Sequence, residues 1–194
     1  MKKKFLQLVC IESGNMIRFR KLSQDIGVAH TTIRDYFNIL EDCMVAVRFD
    51  PVTRNPSRKR LSKASKYLIF DLGVRRLGAQ EGRQLSQKTL AHLFEQWVGL
   101  ELSRRCPPLA KIQFWRDHAG PEVDWVVVKD GHYIPVEVKW SATPSEKDAR
   151  HLQPFLDDYG GQKGFVICQV ARPQQLTPSV VALPWQMLGD VFDV

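Results

Sequence analysis

The sequence predicts an α/β protein of two modules: a small helical unit closed by a β-hairpin, then a mixed sheet flanked by helices. Three observations carry this: a basic first half with helix-periodic apolar residues, a break near Gly78–Gln87, and an Asp-Gly dipeptide at 130–131 between two alternating strands.

At 194 residues, 44% apolar and 25% charged, the chain has the composition of a core-forming protein and the length for one ordinary domain or two small ones. No apolar run approaches the roughly 20 residues of a membrane-spanning helix, so no membrane role is expected. The basic start and short apolar run are broken at Glu12, which argues against a secretory signal. Cys10, Cys43, Cys106 and Cys168 lie far apart, with no paired spacing and no histidine at ligand distance. They read as reduced, mostly buried thiols of a cytoplasmic protein and not as a zinc site.

The formal charge of +7 is unevenly placed. Residues 1–83 hold 17 Lys/Arg against 8 Asp/Glu, a net of +9, whereas residues 84–194 hold 11 against 13, a net of −2. A basic module beside a slightly acidic one suggests different partners, and the basic one suits a polyanion such as DNA.

The first module is expected over 1–82. Residues 4–13 read as a helix ended at Gly14–Asn15. Leu22 and Ile26, then Ile33, Phe37 and Leu40, recur at helical spacing on either side of Gly27. Gly27 marks a turn, and Thr31 or Thr32 is the expected cap of the second helix. In a helix–turn–helix that second helix would present His30, Thr31, Thr32 and Arg34 to DNA. Residues 44–49 and 67–71 read as paired strands, and the loop 53–66 between them carries Arg54, Arg58, Lys59, Arg60, Lys63 and Lys66 with no acid. Helices followed by a basic hairpin look like a winged-helix domain; a protein-docking unit would show the same pattern.

The second module is expected over 83–194. Leu90, Leu93, Phe94, Trp97, Val98 and Leu102 define a helix over 88–106, stopped by Pro107–Pro108. Segments 112–117, 122–128 and 133–139 read as strands, 146–158 as a polar helix interrupted at Pro154, and 165–170 as a buried strand.

Asp130–Gly131 suits a type I′ turn, which needs positive φ at both central residues. If Lys129 pairs with His132, paired residue numbers sum to 261 along the ladder. Asp124 then faces Glu137 and Glu122 faces Lys139, with Val123, Trp125, Val127, Ile134, Val136 and Val138 on the apolar face. Facing carboxylates are destabilising unless compensated, by Lys139 in part and by a divalent cation more fully. Mg²⁺ or Mn²⁺ takes one or two carboxylates and keeps waters, leaving one to attack and a lysine to steady phosphate charge. Glu95, an acid on an apolar helix surface, is the third candidate ligand. No GxxxxGK[ST] loop is present, so the chain is not expected to bind ATP itself.

The series Glu95, Glu122-Val123-Asp124 and Val136-Glu137-Val138-Lys139 resembles the PD-(D/E)xK nuclease superfamily. With the preceding module, and with the phrases LAHLFEQWVGLEL, GPEVDWVV, IPVEVKWS and DARHLQPF, the chain resembles the C-terminal region of prokaryotic AAA-type ATPases. The resemblance covers nearly the whole chain. It implies a winged helix followed by a restriction-endonuclease-like domain, with Glu95, Asp124 and Glu137 as metal acids, Lys139 as the catalytic lysine and an ATPase as partner. Gln153 and Tyr159 do not reproduce the Q-x3-Y element of the exonuclease branch. A catalytically silent DNA- or protein-binding module that docks on an ATPase is the alternative.

Overall fold

The computed structural model describes residues 2–53, 64–117 and 121–194. They form two units, one from residues 2–50 and 64–87, the other from 51–53 and 88–194.

The first unit contains α1 (Lys2–Glu12), α2 (Phe19–Ile26), α3 (His30–Asp42), β1 (Ala46–Phe49), β2 (Lys66–Ile69) and α4 (Leu72–Gly78). Gly27 ends α2 at φ 81°, donating its N–H to Ser23 O, a left-handed cap that glycine adopts without steric cost. The expected threonine cap does not form. The capping position of α3 is Ala29, without a side-chain bond, so Thr31 and Thr32 fall within the first helical turn. Leu22, Ile33, Phe37 and Leu40 meet Phe5, Val9 and Tyr67 in one core, as their spacing requires. β1 and β2 pair antiparallel, Ala46 with Ile69 through Phe49 with Lys66. Lys66 is thus a buried strand residue, not part of the basic loop. Asp71 caps α4 by accepting Val74 N–H at 2.8 Å. Arg75, itself buried, ion-pairs with Glu81 and so ties the following segment down.

The second unit is built on a six-stranded mixed sheet. Its strands are β3 (Lys111–Arg116), β4 (Glu122–Lys129), β5 (His132–Val138), β6 (Gly164–Cys168), β7 (Gln174–Thr177) and β8 (Val180–Pro184), in the order β3-β4-β5-β6-β8-β7. The β5–β6 and β6–β8 pairs are parallel and the others antiparallel. Helix α5 (Gln87–Arg105) packs against Trp125, whose ring lies so close that a Cβ on Gly99 would stand 2.4 Å from it. Helix α6 (Leu152–Tyr159) buries Leu152, Phe155 and Leu156 with Val126, Val166, Cys168 and Ala182. Because Trp125 and Val126 are adjacent in a strand, the helices cover opposite faces.

The expected helix over 146–158 is two pieces, a 3-10 turn Glu146–Ala149 and then α6. Pro154 does not interrupt it: it sits in the first turn of α6, where its missing N–H has no intrahelical partner to lose. The chain ends in a 3-10 segment, Trp185–Phe192, broken at Met187. Cys10 and Cys168 are buried, Cys106 is half-buried and Cys43 is exposed.

Candidate functional site

The hairpin forms as its turn residues dictate. Asp130 has φ 52° and Gly131 φ 80°, and Lys129 pairs with His132. The register continues through Val127 with Ile134 to Trp125 with Val136, keeping the sum of 261 over every pair. There the ladder changes. On its other edge β4 pairs Val126 with Gln113 but Val123 with Trp115, so Asp124 and Trp125 together stand against Phe114. This is a β-bulge, and the extra residue reverses side-chain parity on its N-terminal side. Val123 accordingly joins Val126 in the core beneath α6 and not Trp125 on the α5 face, which corrects the expected alternation.

The bulge also changes what Asp124 does. It does not continue the ladder opposite Glu137; its Oδ2 accepts the backbone N–H of Val138 at 2.8 Å. A side chain thus satisfies a strand donor where β4 leaves the ladder, which fixes the carboxylate at the fork. Glu122 is not opposite Lys139 either. It pairs with Arg116 of β3, with 3.3 Å between guanidinium and carboxylate.

Glu137 and Lys139 lie two apart in sequence, on one face at the end of β5. Lys139 Nζ donates to Glu137 Oε1 at 2.6 Å. Glu137 is only 5% exposed, and its Oε2 is buried with no hydrogen-bond partner among the described residues. Burial pushes the Glu137 carboxyl above its ordinary pKa, against the opposing pull of Lys139 and with the charges of Glu95 and Glu122 adding to the rise. Burial acts to lower Lys139, but the charge and hydrogen bond of Glu137, with Asp124 and Asp148 behind it, hold the ammonium above its usual value. The lysine therefore stays charged at neutral pH.

Sequence reasoning overlooked two contributors. Asp148, on the 3-10 turn, bears on Lys139 and closes a capping box with Ser145, whose N–H it accepts at 2.8 Å. The Ser-x-x-Asp spacing of residues 145–148 was the readable signal. His151 feels Lys139 as well; burial first, then Arg150 and Lys139, lower its pKa, so the imidazole is neutral at pH 7.

Glu95, half-buried on α5, contributes its charge to Glu137, and its carbonyl accepts Trp125 Nε1–H at 3.1 Å. Among the described residues no three His, Cys, Asp or Glu side chains are grouped as a metal-holding set, so Glu95, Asp124 and Glu137 do not form the expected three-acid cluster. In the first unit, Thr31 and Arg34 are exposed on α3 and Thr32 is half-buried. Arg54, Arg58, Lys59, Arg60 and Lys63 lie outside the described residues.

Together these elements define a mixed α/β chain in which a buried acid pairs with a part-exposed lysine at a strand fork. The chain belongs to the family described as a domain of unknown function, DUF4143, whose model matches residues 90–188, and which typically stands at the C-terminus of AAA-type ATPases. Residues 2–84 match a second domain of unknown function, DUF8612. The chain is 27% identical over 175 residues to uncharacterized proteins of Mycobacterium bovis and Mycobacterium tuberculosis. The match takes in 88% of this chain but only 38% of those relatives' length. No solved structure matches. Among the described residues no helix is long and apolar enough to cross a membrane.

Proposed function

We propose that the chain is a DNA-binding, Mg²⁺-dependent nuclease-like module that works with an AAA-type ATPase and hydrolyses phosphodiesters at Asp124, Glu137 and Lys139. The observation that carries this is the pairing of the buried Glu137 with the part-exposed Lys139, with Glu137 Oε2 enclosed and without a hydrogen-bond partner among the described residues. A buried carboxylate oxygen in that state calls for a cation. Mg²⁺ needs only one or two carboxylates beside its waters, so Glu137 with one further acid, Asp124 or Glu95, would be enough to hold it. Bound there, it would supply an acidified water and neutralise phosphate charge. Lys139 has three N–H donors, of which one is given to Glu137, and its side chain is 36% exposed, so it can also meet a phosphate oxygen.

The three helices α1 to α3 followed by a two-stranded sheet support a winged-helix reading of the first unit. Thr31, Thr32 and Arg34 would face DNA from α3, and Arg54, Arg58, Lys59, Arg60 and Lys63 would follow its phosphates. The family's usual setting and the greater length of the relatives support an ATPase partner.

The test is cleavage of single- and double-stranded DNA during Mg²⁺ and Mn²⁺ titration. Asp124→Ala and Lys139→Ala are each expected to reduce cleavage by about 10²–10³-fold; robust metal-stimulated cleavage in both variants would sink the hydrolytic assignment. A second reading, a silent docking module, is favoured by the absence of a three-acid set among the described residues. It predicts no cleavage and no Mn²⁺ uptake by calorimetry, with salt-sensitive DNA binding retained. Under either reading, reversing Arg58, Lys59 and Arg60 to glutamate should weaken DNA binding by about 10-fold or more and flatten its salt dependence. Unchanged affinity and slope would remove DNA contact from this unit.

A further inference from the structure

A row of four aromatic rings begins beside Lys139. Trp140 stands edge-on to Phe94 with centroids 5.2 Å apart, Phe94 lies nearly parallel to Trp97 at 6.1 Å, and Trp97 meets Trp185 edge-on at 5.3 Å. The row starts at the residue after Lys139, runs over the turn of α5 that holds Glu95, and ends on the C-terminal 3-10 segment. Its two outer indoles are exposed, Trp140 at 38% and Trp185 at 39%, while Phe94 is buried beneath them.

Exposed indoles braced from below hold their orientation, and so offer a ligand flat surface at little entropic cost. The charges at the two ends of the row narrow the choice of ligand. One end has the Lys139 ammonium, which gives one N–H to Glu137, with Asp124 and Asp148 also acting on it, and keeps two donors for a phosphate oxygen. Toward the other, Arg104 and Arg105 share the single carboxylate of Glu101, at 2.7 and 3.3 Å, leaving a surplus of one positive charge. The Arg105 guanidinium also lies next to Gly189 of the segment that carries Trp185. Aromatic faces with a part-exposed ammonium at one end and an arginine in excess of its acid toward the other match the alternation of bases and phosphates in a single strand. A duplex keeps its base faces stacked inside and presents only edges and backbone.

We propose that this row is a stacking platform for the unpaired bases of a single-stranded nucleic acid, with Trp140 and Trp185 as its stacking residues. It rests on the phosphodiesterase reading only in giving the strand's phosphates to Lys139.

The full chain is titrated in EDTA with a labelled oligothymidylate, an abasic strand of equal length and a duplex. The oligothymidylate is expected to bind about 10-fold or more tighter than the abasic strand and to quench tryptophan fluorescence. Trp140→Ala and Trp185→Ala should each remove most of that preference, and Trp140→Phe should retain most of it with an unchanged circular dichroism spectrum. Equal affinity for the base-bearing and abasic strands overturns the proposal, as does an unaltered preference in both alanine variants. A dimer that Trp185→Ala splits without touching oligonucleotide affinity would identify the face as a self-contact and also overturn it. Because binding is read in EDTA, equal affinity of the unaltered chain for base-bearing and abasic strands, with Mg²⁺-dependent cleavage intact, removes the platform alone. Lost cleavage with the preference intact removes the hydrolytic assignment alone.

Discussion

Replacing Glu137 by glutamine is expected to lower the proposed metal-dependent cleavage by about 10³-fold or more while raising the thermal midpoint of the unit that contains it. The two effects have one cause. Burial holds the Glu137 carboxyl above its ordinary pKa despite the lysine 2.6 Å away, so the native state binds this proton more tightly than the unfolded chain does. The stabilising contribution of such a group is complete below the unfolded carboxylate pKa, about 4.3, and is lost as pH rises through the folded value. Above the folded pKa the ionised side chain is therefore a net cost, and glutamine resembles the protonated form. The expected gain is about 1 kcal/mol, or roughly 2–4 °C. Thermal denaturation between pH 4 and pH 8 checks it, with the gap between variant and parent opening as pH rises. A lower midpoint for the variant at neutral pH would contradict the sign. Lys139→Met should act in the opposite direction, since it strands a buried carboxylate without its cation.

Gly99→Ala is the second large effect, and its direction is the informative part. In an exposed helix interior the change would stabilise by about 1 kcal/mol. Here the new methyl group would stand 2.4 Å from Trp125 Cζ2. The ring cannot yield easily: it is fully buried and its N–H is held by Glu95 O at 3.1 Å. A net loss of about 1–3 kcal/mol is expected, read as a lower denaturant midpoint with an unchanged slope. Because Trp125 and Asp124 share the bulge, the variant should also cleave more slowly; unaltered stability would mean that α5 can move away.

The parts of this molecule that depend on short-range rules were legible in advance. Asp130–Gly131 specified its turn and, through it, the pairing of five residues on each strand. The apolar spacing around Gly27 specified α2, α3 and the residues they bury. What escaped depends on partners distant in sequence. The bulge exists because β4 is paired on two edges at once, with Phe114 on one side and the fork toward β5 on the other, and no periodicity in 122–128 announces it. Hence Glu137 and Lys139 were found as a same-face pair, whereas the contacts of Asp124 and Glu122 were misassigned. β7 and β8 were not anticipated because Gln174–Thr177 is a polar edge strand and Val180–Pro184 ends in proline. Thr31 and Thr32 show a third kind of miss, in which residues able to cap fall inside the helix and an alanine takes the capping position.

The unequal surroundings of the four thiols give the protein a built-in handle for chemical labelling. Burial raises the pKa of Cys10, Cys106 and Cys168, which keeps them protonated and poorly nucleophilic at neutral pH. Cys43, at the C-terminal cap of α3, is exposed. A maleimide dye added briefly at neutral pH should therefore mark the first unit at one position, at the far end of α3 from Thr31 and Thr32. Its polarisation would test the proposed encounter of that unit with DNA without any engineered cysteine.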